Sequence, residues 1–424
     1  LALLTLALTA GAHAQSIVTP ELSIAPNPVG SGARAMGQGN AFIAVADDAT
    51  AASWNPGGLS QLQRPEVSVA AEHLRLSEHM QSDSYATAES NRSLDLSDLN
   101  YASVVYPLFY RRSMVVSLNY LKQVRFGRVL EYPFRETIDD FTMDLRHTYR
   151  QEGAFSSLAP AFGIDITPHL ALGLALNIWN QEITQSSVYE QETRTAGSVQ
   201  FGTDWGTFRQ VYTDRFEVDH GYSLVLGGLY RFNAAWALGA VVKPAYSLRL
   251  AHTHTETYAE AGDTQTTSES SADLNLPLVA GLGLAWRPSD PLTVSADVTW
   301  TDWSNCTYVE NGRETNPLTI GAASQSKLGD TRTARLGAEY LIIRPRCVVP
   351  LRCGAGCDPS PAVDGVDDYY SLSCGSGLQW GRYALDIAYE YRWGRDVGKD
   401  ALSGIAGSED ITRHRVLASL IVYF

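Results

Sequence analysis

His414-Arg-Val-Leu-Ala-Ser-Leu-Ile-Val-Tyr-Phe424 keeps Val416, Ala418, Leu420 and Val422 on one parity and runs to an aromatic end. Successive side chains of a strand point to opposite faces, so the segment predicts a strand with one continuous apolar face. Such a strand fits the closing strand of an outer-membrane β-barrel. A bilayer tolerates no open sheet edge, and one lipid-facing strand therefore commits the remaining chain to a closed barrel.

The same alternation recurs upstream. Leu292, Val294, Ala296, Val298 and Trp300 oppose Thr293, Ser295, Asp297 and Thr299, and further on Leu385, Ile387, Tyr389, Tyr391 and Trp393 oppose Asp386, Glu390 and Arg392. This is an apolar exterior over a polar interior, in spans of about 9–11 residues. After Pro65 such runs are joined by tight turns near 107–112, 167–169, 232–235, 288–291, 344–349 and 380–382. They alternate with long polar loops near 77–98, 124–153, 189–206, 259–270, 304–327, 358–368 and 394–411. Six turns and seven loops predict about fourteen strands with both barrel ends on the periplasmic side. The expected fold is all-β, a transmembrane antiparallel β-barrel over 66–424 with an N-terminal hatch, 15–65, inside the lumen.

No run of about 18 apolar residues follows the N-terminus, which excludes helical spans. Among the 424 residues, 35 Gly, 21 Tyr and 9 Trp suit barrel turns and interfacial girdles. A formal net charge of -14 excludes nucleic acid, whose phosphates need a basic face. Asp358, Asp364, Asp367 and Asp368 gather in one expected loop, either simply solvated or bridged to lipopolysaccharide by divalent cations. Residues 1–14 are apolar and end in Ala12-His13-Ala14 before Gln15, the pattern of an export-signal remnant. The expected location is the outer membrane of a Gram-negative bacterium. Outer-membrane lipid and lipopolysaccharide would surround the barrel, and Phe424 would engage the barrel assembly machinery.

Five cysteines are an odd number, so at least one is expected to lack an intrachain partner. Cys353 and Cys357 on one strand would lie about 13 Å apart, too far for a bridge, which leaves Cys353 with Cys374 as the best intrachain pair. The cysteine spacing matches no closed zinc site.

Residues 16–64 break the alternation. Rich in Gly, Ala, Pro and Asn, the segment has side chains too small for a core of its own and fits a plug within the lumen. Asp47 and Asp48 can cap a short helix over 49–54, which Asn55-Pro56-Gly57-Gly58 would end.

Gly32-Ala-Arg34-Ala35, Asp47-Asp48-Ala49, Asn55-Pro56 and Arg64-Pro65 together resemble the hatch of the FadL family, outer-membrane transporters of long-chain fatty acids and other hydrophobic compounds. Arg335-Leu-Gly-Ala-Glu-Tyr340, Pro350-Leu-Arg352 and Asp358-Pro-Ser-Pro361 look like that family's later strands. The family's hatch usually reads Asn-Pro-Ala where this chain has Asn55, Pro56 and Gly57, and glycine widens the backbone conformations open to that position. The resemblance implies a fourteen-stranded barrel plugged by a segment whose rearrangement on ligand binding opens a lateral exit, with Asn55, Pro56, Gly57, Arg34, Asp47 and Asp48 as the gating residues.

Interior positions of the later strands carry Asp297, Arg335, Glu339, Arg352, Asp386, Glu390 and Arg392, charges able to pair or to hold Arg34, Asp47 and Asp48. Earlier strands place Ala171, Gly173, Ala175, Val225, Gly227, Leu229, Val279, Gly281, Gly283 and Ala285 inward. That smooth wall suits either an apolar ligand or close packing of the plug. Gly281 and Gly283 are candidate ligand-wall positions. Lys243 and Arg249 beside them are candidates to meet a carboxylate, with Pro244 able to distort their strand. His252, His254 and Glu256 share one parity near the outer end, where His-x-His without a fixed third ligand points to a solvated extension more than to a metal site.

Gly30-Ser-Gly32-Ala-Arg-Ala35 matches a dinucleotide fingerprint only on paper, since Pro26-Asn-Pro28 rather than a buried strand precedes it. An outer-membrane lipase would need an oriented nucleophile and base; no Gly-x-Ser-x-Gly occurs and most of the nine His fall in expected loops or at strand ends. A non-transporting surface anchor or secretion-complex subunit is the other alternative. The expected function is a passive channel for a hydrophobic small-molecule ligand such as a fatty acid, gated by the hatch, with no cofactor or metal.

Overall fold

The computed structural model describes residues 31–82, 89–109, 112–260, 262–319, 325–363, 365–398 and 407–424. Fourteen antiparallel strands form the wall. They are β1 (Glu66–Ser82), β2 (Glu89–Phe109), β3 (Ser113–Ile138), β4 (Phe141–Asp165), β5 (Leu170–Trp179), β6 (Asp204–Arg231) and β7 (Trp236–Lys243). Then follow β8 (Val279–Ser289), β9 (Leu292–Thr301), β10 (Thr331–Ile343), β11 (Val348–Cys357), β12 (Tyr369–Trp380), β13 (Tyr383–Val397) and β14 (Gly407–Tyr423). Each pairs with its neighbour in this order, and β14 returns to β1 with Val67 opposite Val422 and Leu74 opposite Arg415. Closure leaves no edge in the hydrocarbon. The residues of the expected export signal, 1–14, lie outside the described residues.

Strand parity sorts side chains between lipid and lumen. Val298, Leu385 and Ile387 are exposed, whereas Ser295, Asp297, Asp386 and Glu390 on the same strands are buried. Tyr230, Phe232, Trp236, Trp286, Tyr340, Trp380 and Tyr383 are exposed around the turn end, and Trp236 stacks on Trp286 with ring centroids 5.6 Å apart. Tyr222 marks the other rim of β6. Eight residues of tilted strand from Tyr222 to Tyr230 span about 20 Å, close to the apolar band of such barrels.

The segments expected as long loops are largely paired strand. Residues 77–98 belong mostly to β1 and β2, and 124–153 to β3 and β4. Residues 189–206 and 259–270 lie mainly in Val188–Phe201, β6, Tyr246–Glu260 and Gly262–Leu276. Stretches such as 264–270 are polar on both faces and lack the alternation that marks a membrane strand, while their Thr residues still favour pairing once the strands below set the register; the β3 and β4 extensions do alternate, with Phe126, Leu130 and Tyr149 buried.

A second difference falls at Pro244. The one strand expected to carry Lys243 and Arg249 splits into β7 and Tyr246–Glu260, because proline donates no ladder hydrogen bond. The break shifts parity: Val241 faces inward below it, and Leu248, Leu250 and His252 above it. Asp358 also departs from expectation. It turns inward and accepts hydrogen bonds from Arg335 Nη2 (2.8 Å) and Thr333 Oγ1 (3.2 Å), so it is no solvated loop carboxylate. Cys353 and Cys374 lie directly opposite one another, both exposed on the outer face and both free thiols.

Candidate functional site

The segment before β1 occupies the lumen as α1 (Ala33–Gly37), α2 (Ala51–Trp54) and a 3-10 turn, Pro56–Gln61. Asp48 accepts from Thr50 N (2.8 Å) and Thr50 Oγ1 (2.6 Å) just ahead of α2. Asp47, also expected at this cap, turns instead to Arg34 and Arg287. Phe42, Ile43, Trp54 and Leu59 pack on Val105, Val115, Val225 and Val241 from the wall, with Trp54 edge-on to Phe42 at 5.8 Å. The small-residue segment thus borrows its core from the barrel.

Glycines on the wall make this seat possible. A Cβ added at Gly173 would stand 2.2 Å from the Pro56 carbonyl, one at Gly239 2.3 Å from Ile43 O, and one at Gly337 2.2 Å from Gln38 O. Gly281 and Gly283, expected as ligand wall, belong to the same seat: their Cβ atoms would meet Ile43 Cδ1 at 2.8 Å and Asp297 Oδ1 at 2.4 Å. Of the two roles open to the smooth wall, close packing of the plug is the one its geometry serves. Gly57 does not use an unusual φ. Its missing Cβ would lie 3.1 Å from Gly227 O, so closeness to the wall accounts for the glycine.

Charge fixes the opposite side of the hatch. Arg34 Nε and Nη2 donate to the two oxygens of Glu339 (3.1 and 2.9 Å), and Nη1 donates to Asp47 (2.7 Å). Glu339 also accepts from Arg352 Nε (2.6 Å), and Arg352 Nη1 reaches Asp386 (2.5 Å). One chain of alternating charge therefore runs from the hatch through β10, β11 and β13. Burial alone would depress the Arg34 guanidinium, but Asp47, Glu339 and Asp48 outweigh it and raise it further, so the cation stays charged. Asp297 Oδ2 accepts from the backbone of Phe42 (2.6 Å) and Ile43 (2.9 Å). Asn55, fully buried, donates to Ile43 O (2.8 Å) and Gly228 O (2.9 Å) and accepts from Gly57 N (3.1 Å). It joins two arms of the hatch to β6.

Apart from Glu390, the residues of four further anchors were not singled out in the sequence. Asn40 donates to Glu390 (3.0 Å), Ser373 Oγ accepts from Gly39 N (2.9 Å), Ser419 Oγ accepts from Ala33 N (2.7 Å), and Tyr101 donates to Ala49 O (2.7 Å). Their inward parity was readable; their partners, far off in sequence, were not.

Two adjoining cavities lie above the hatch. One of about 60 Å³ is lined by Val124, Val225, Tyr246, Leu276, Val279 and Trp303, and Lys243 is the one charged residue of its lining. Its neighbour, about 80 Å³, holds Lys122, Arg125, Arg335, Arg392, Arg413 and Arg415 against Glu72, Asp358 and Glu390. Gln123 lines both. Arg249 is not among these residues. Beyond the Pro244 break its side chain faces outward, where Nη1 pairs with Asp273 at 2.8 Å. Between β2 and β3 the ladder runs from Phe109 opposite Ser113 to Tyr101 opposite Leu121, whereas β3 stays paired with β4 up to Ile138. The second cavity lies where β2 and β3 part, lined there by Leu96, Asn100, Lys122 and Gly127.

The chain resembles solved barrels along nearly its full length. A Pseudomonas aeruginosa FadL homologue superposes with a TM-score of 0.64 at 14% identity, covering 94% of this chain and 99% of that one. The Ralstonia pickettii toluene transporter TbuX gives 0.59 at 13% identity, covering 94% and 99%. The Pseudomonas putida toluene transporter TodX gives 0.57 at 13%, covering 93% and 98%. At such identities the likeness speaks for the fold. No curated protein matches the sequence. The family model described as outer membrane protein transport protein (OMPP1/FadL/TodX) matches residues 5–410, and the chain belongs to that family of outer-membrane channels for hydrophobic compounds.

Proposed function

We propose that the cargo is a hydrophobic compound carrying a carboxylate, with long-chain fatty acids as the class, and that the hatch gates its passage. The observation that carries this is Lys243 in the lining of an otherwise uncharged, largely apolar cavity, next to a cavity with six cations and three acids. An acyl chain gains by leaving water for Val124, Val225, Leu276 and Trp303. Its carboxylate would be met by charge-assisted hydrogen bonds from Lys243 or the neighbouring guanidiniums.

Gating is supported by Asn55, which ties the Ile43 arm of the hatch to Gly228 beneath the apolar cavity. A ligand that pulls on either arm strains bonds shared by both. The break in the β2–β3 backbone ladder beyond Tyr101 and Leu121, bridged by Lys122 with Asp98 and Arg92 with Glu131, is the proposed lateral exit, reached from the cavity that Gln123 borders.

The test is binding of oleate and of toluene to the purified barrel, wild type and Lys243→Met. A hydrogen bond to a charged group contributes about 1.5–3 kcal/mol, so oleate affinity should fall roughly 10- to 150-fold in the variant. Toluene binding without oleate binding would instead move the cargo to aromatic hydrocarbons, the compounds named for TodX and TbuX.

A further inference from the structure

His252 and His254 are two residues apart on one face of Tyr246–Glu260, and the strand register sets Asp214 of β6 directly opposite His254. Sequence spacing left this His-x-His without a third ligand; the fold supplies one from about forty residues upstream. Asp214 Oδ1 stands 2.9 Å from His252 Nε2 and 2.7 Å from His254 Nδ1, and one ligand atom from each residue falls within 4.8 Å of the others. Two ligands on a tetrahedral ion with bonds of about 2.0–2.1 Å lie roughly 3.3 Å apart. Each Asp214–His distance therefore needs to open by only about half an ångström, and the ligand nitrogens of the two imidazoles already lie within 4.8 Å of one another.

The surroundings match a metal-ligating histidine rather than a bare hydrogen-bonded one. His252 Nδ1 faces Glu310 Oε1 at 2.8 Å, the outer carboxylate that fixes the tautomer and raises ligand basicity in histidine–metal sites. Glu310 is itself held by Tyr308 Oη at 3.1 Å and by Ser270. The His252 ring is clamped against Phe216 at 4.2 Å. Asp214, His252 and Glu310 side chains are 2%, 8% and 8% exposed, while His254, at 32%, opens toward solvent and leaves a way in for an ion and a fourth ligand.

We infer that Asp214, His252 and His254 form a site for one divalent transition-metal ion of the Zn²⁺ type, with Glu310 orienting His252 from behind. Two imidazoles favour Zn²⁺, Co²⁺ or Ni²⁺ over Ca²⁺ and Mg²⁺, which take oxygen ligands. The ion would clasp β6 to Tyr246–Glu260 and, through Glu310, to the hairpin of Thr307–Glu310 and Arg313–Thr315. These segments stand above the membrane band and border the apolar cluster of Phe216, Leu248, Leu250, Leu274, Trp303 and Tyr308, so the ion would act as a staple of the outer rim. The staple does not depend on which compound the channel carries.

The experiment uses the folded, tag-free barrel in detergent, stripped with chelator and titrated with Co²⁺, followed by displacement with Zn²⁺. Ligand-field bands of Co²⁺ in a low-coordinate site should rise to one ion per chain and vanish on adding Zn²⁺. His254→Gln, at the more exposed position, should lower Co²⁺ affinity at least 100-fold while the barrel still folds, and His252→Ala should abolish the bands. Glu310→Gln should keep the stoichiometry and weaken binding 10- to 100-fold, the usual effect of losing an outer-shell partner. No bands in the wild type, or bands unchanged in a folded His254→Gln barrel, would overturn the assignment.

Discussion

Glu339→Ala should free the hatch without unfolding the barrel. The carboxylate is 4% exposed and accepts two hydrogen bonds from Arg34 and one from Arg352. Removing one partner of a buried ion pair costs about 3–5 kcal/mol. Arg34 keeps Asp47 and is 20% exposed, and Arg352 keeps Asp386, which places the cost near about 3 kcal/mol. Two of the three lost bonds hold the hatch, so about 2 kcal/mol should fall on its seating, roughly a 30-fold shift toward the unseated state. Hydrogen exchange of the purified barrel reads this directly, because Phe42 and Ile43 amides donate to Asp297 across the hatch–wall boundary. Their exchange should quicken roughly 30-fold while β4 and β5 stay protected. Equal protection in variant and wild type, or an equal loss throughout the wall, would refute the assignment of Glu339 as a hatch anchor.

Gly173→Val should unseat the 3-10 turn, since even a single added carbon would lie 2.2 Å from the Pro56 carbonyl; limited proteolysis should cut the hatch of a barrel that still folds. Arg249→Ala should leave oleate binding within about twofold of wild type, because its partner Asp273 is on the outer face and exposed ion pairs contribute little. Cys353 and Cys374, opposite one another across β11 and β12, should form an intrachain disulfide under oxidising conditions, which mass spectrometry of the unreduced protein would detect; cross-linking through either cysteine to a second chain instead would contradict it.

Much of the barrel was legible because parity is a local property. Asp386 and Glu390 alternating with Leu385, Ile387 and Tyr389 state which side meets lipid before any partner strand is known. The tall outer extensions were not legible as strands, since Thr264 to Ser270 is polar on both faces and carries no burial signal. Lys243 and Arg249 show how one residue redirects a local argument: six positions apart they share a parity, but Pro244 breaks the strand between them and sends the second outward. For the hatch, composition announced a segment unable to fold alone, and Arg34, Asp48 and Asn55 all meet partners in or around it. Which partners they meet depends on closure of the whole barrel, as with Arg34 and Glu339, 305 residues apart. Asp214 beside His254 was hidden for the same reason, because β-strand register is set by the sheet and not by either segment alone.

The central claim is that a carboxylated hydrophobic compound crosses this channel by rearranging the hatch around Asn55. Uptake of labelled oleate by cells lacking their own fatty acid transporter, expressing either wild type or Asn55→Ala, tests it most directly. Wild-type uptake that is lost in an Asn55→Ala barrel still assembled in the outer membrane is the predicted result. Equal uptake by the two proteins would contradict gating through Asn55, and no uptake by an assembled wild-type barrel would contradict the cargo.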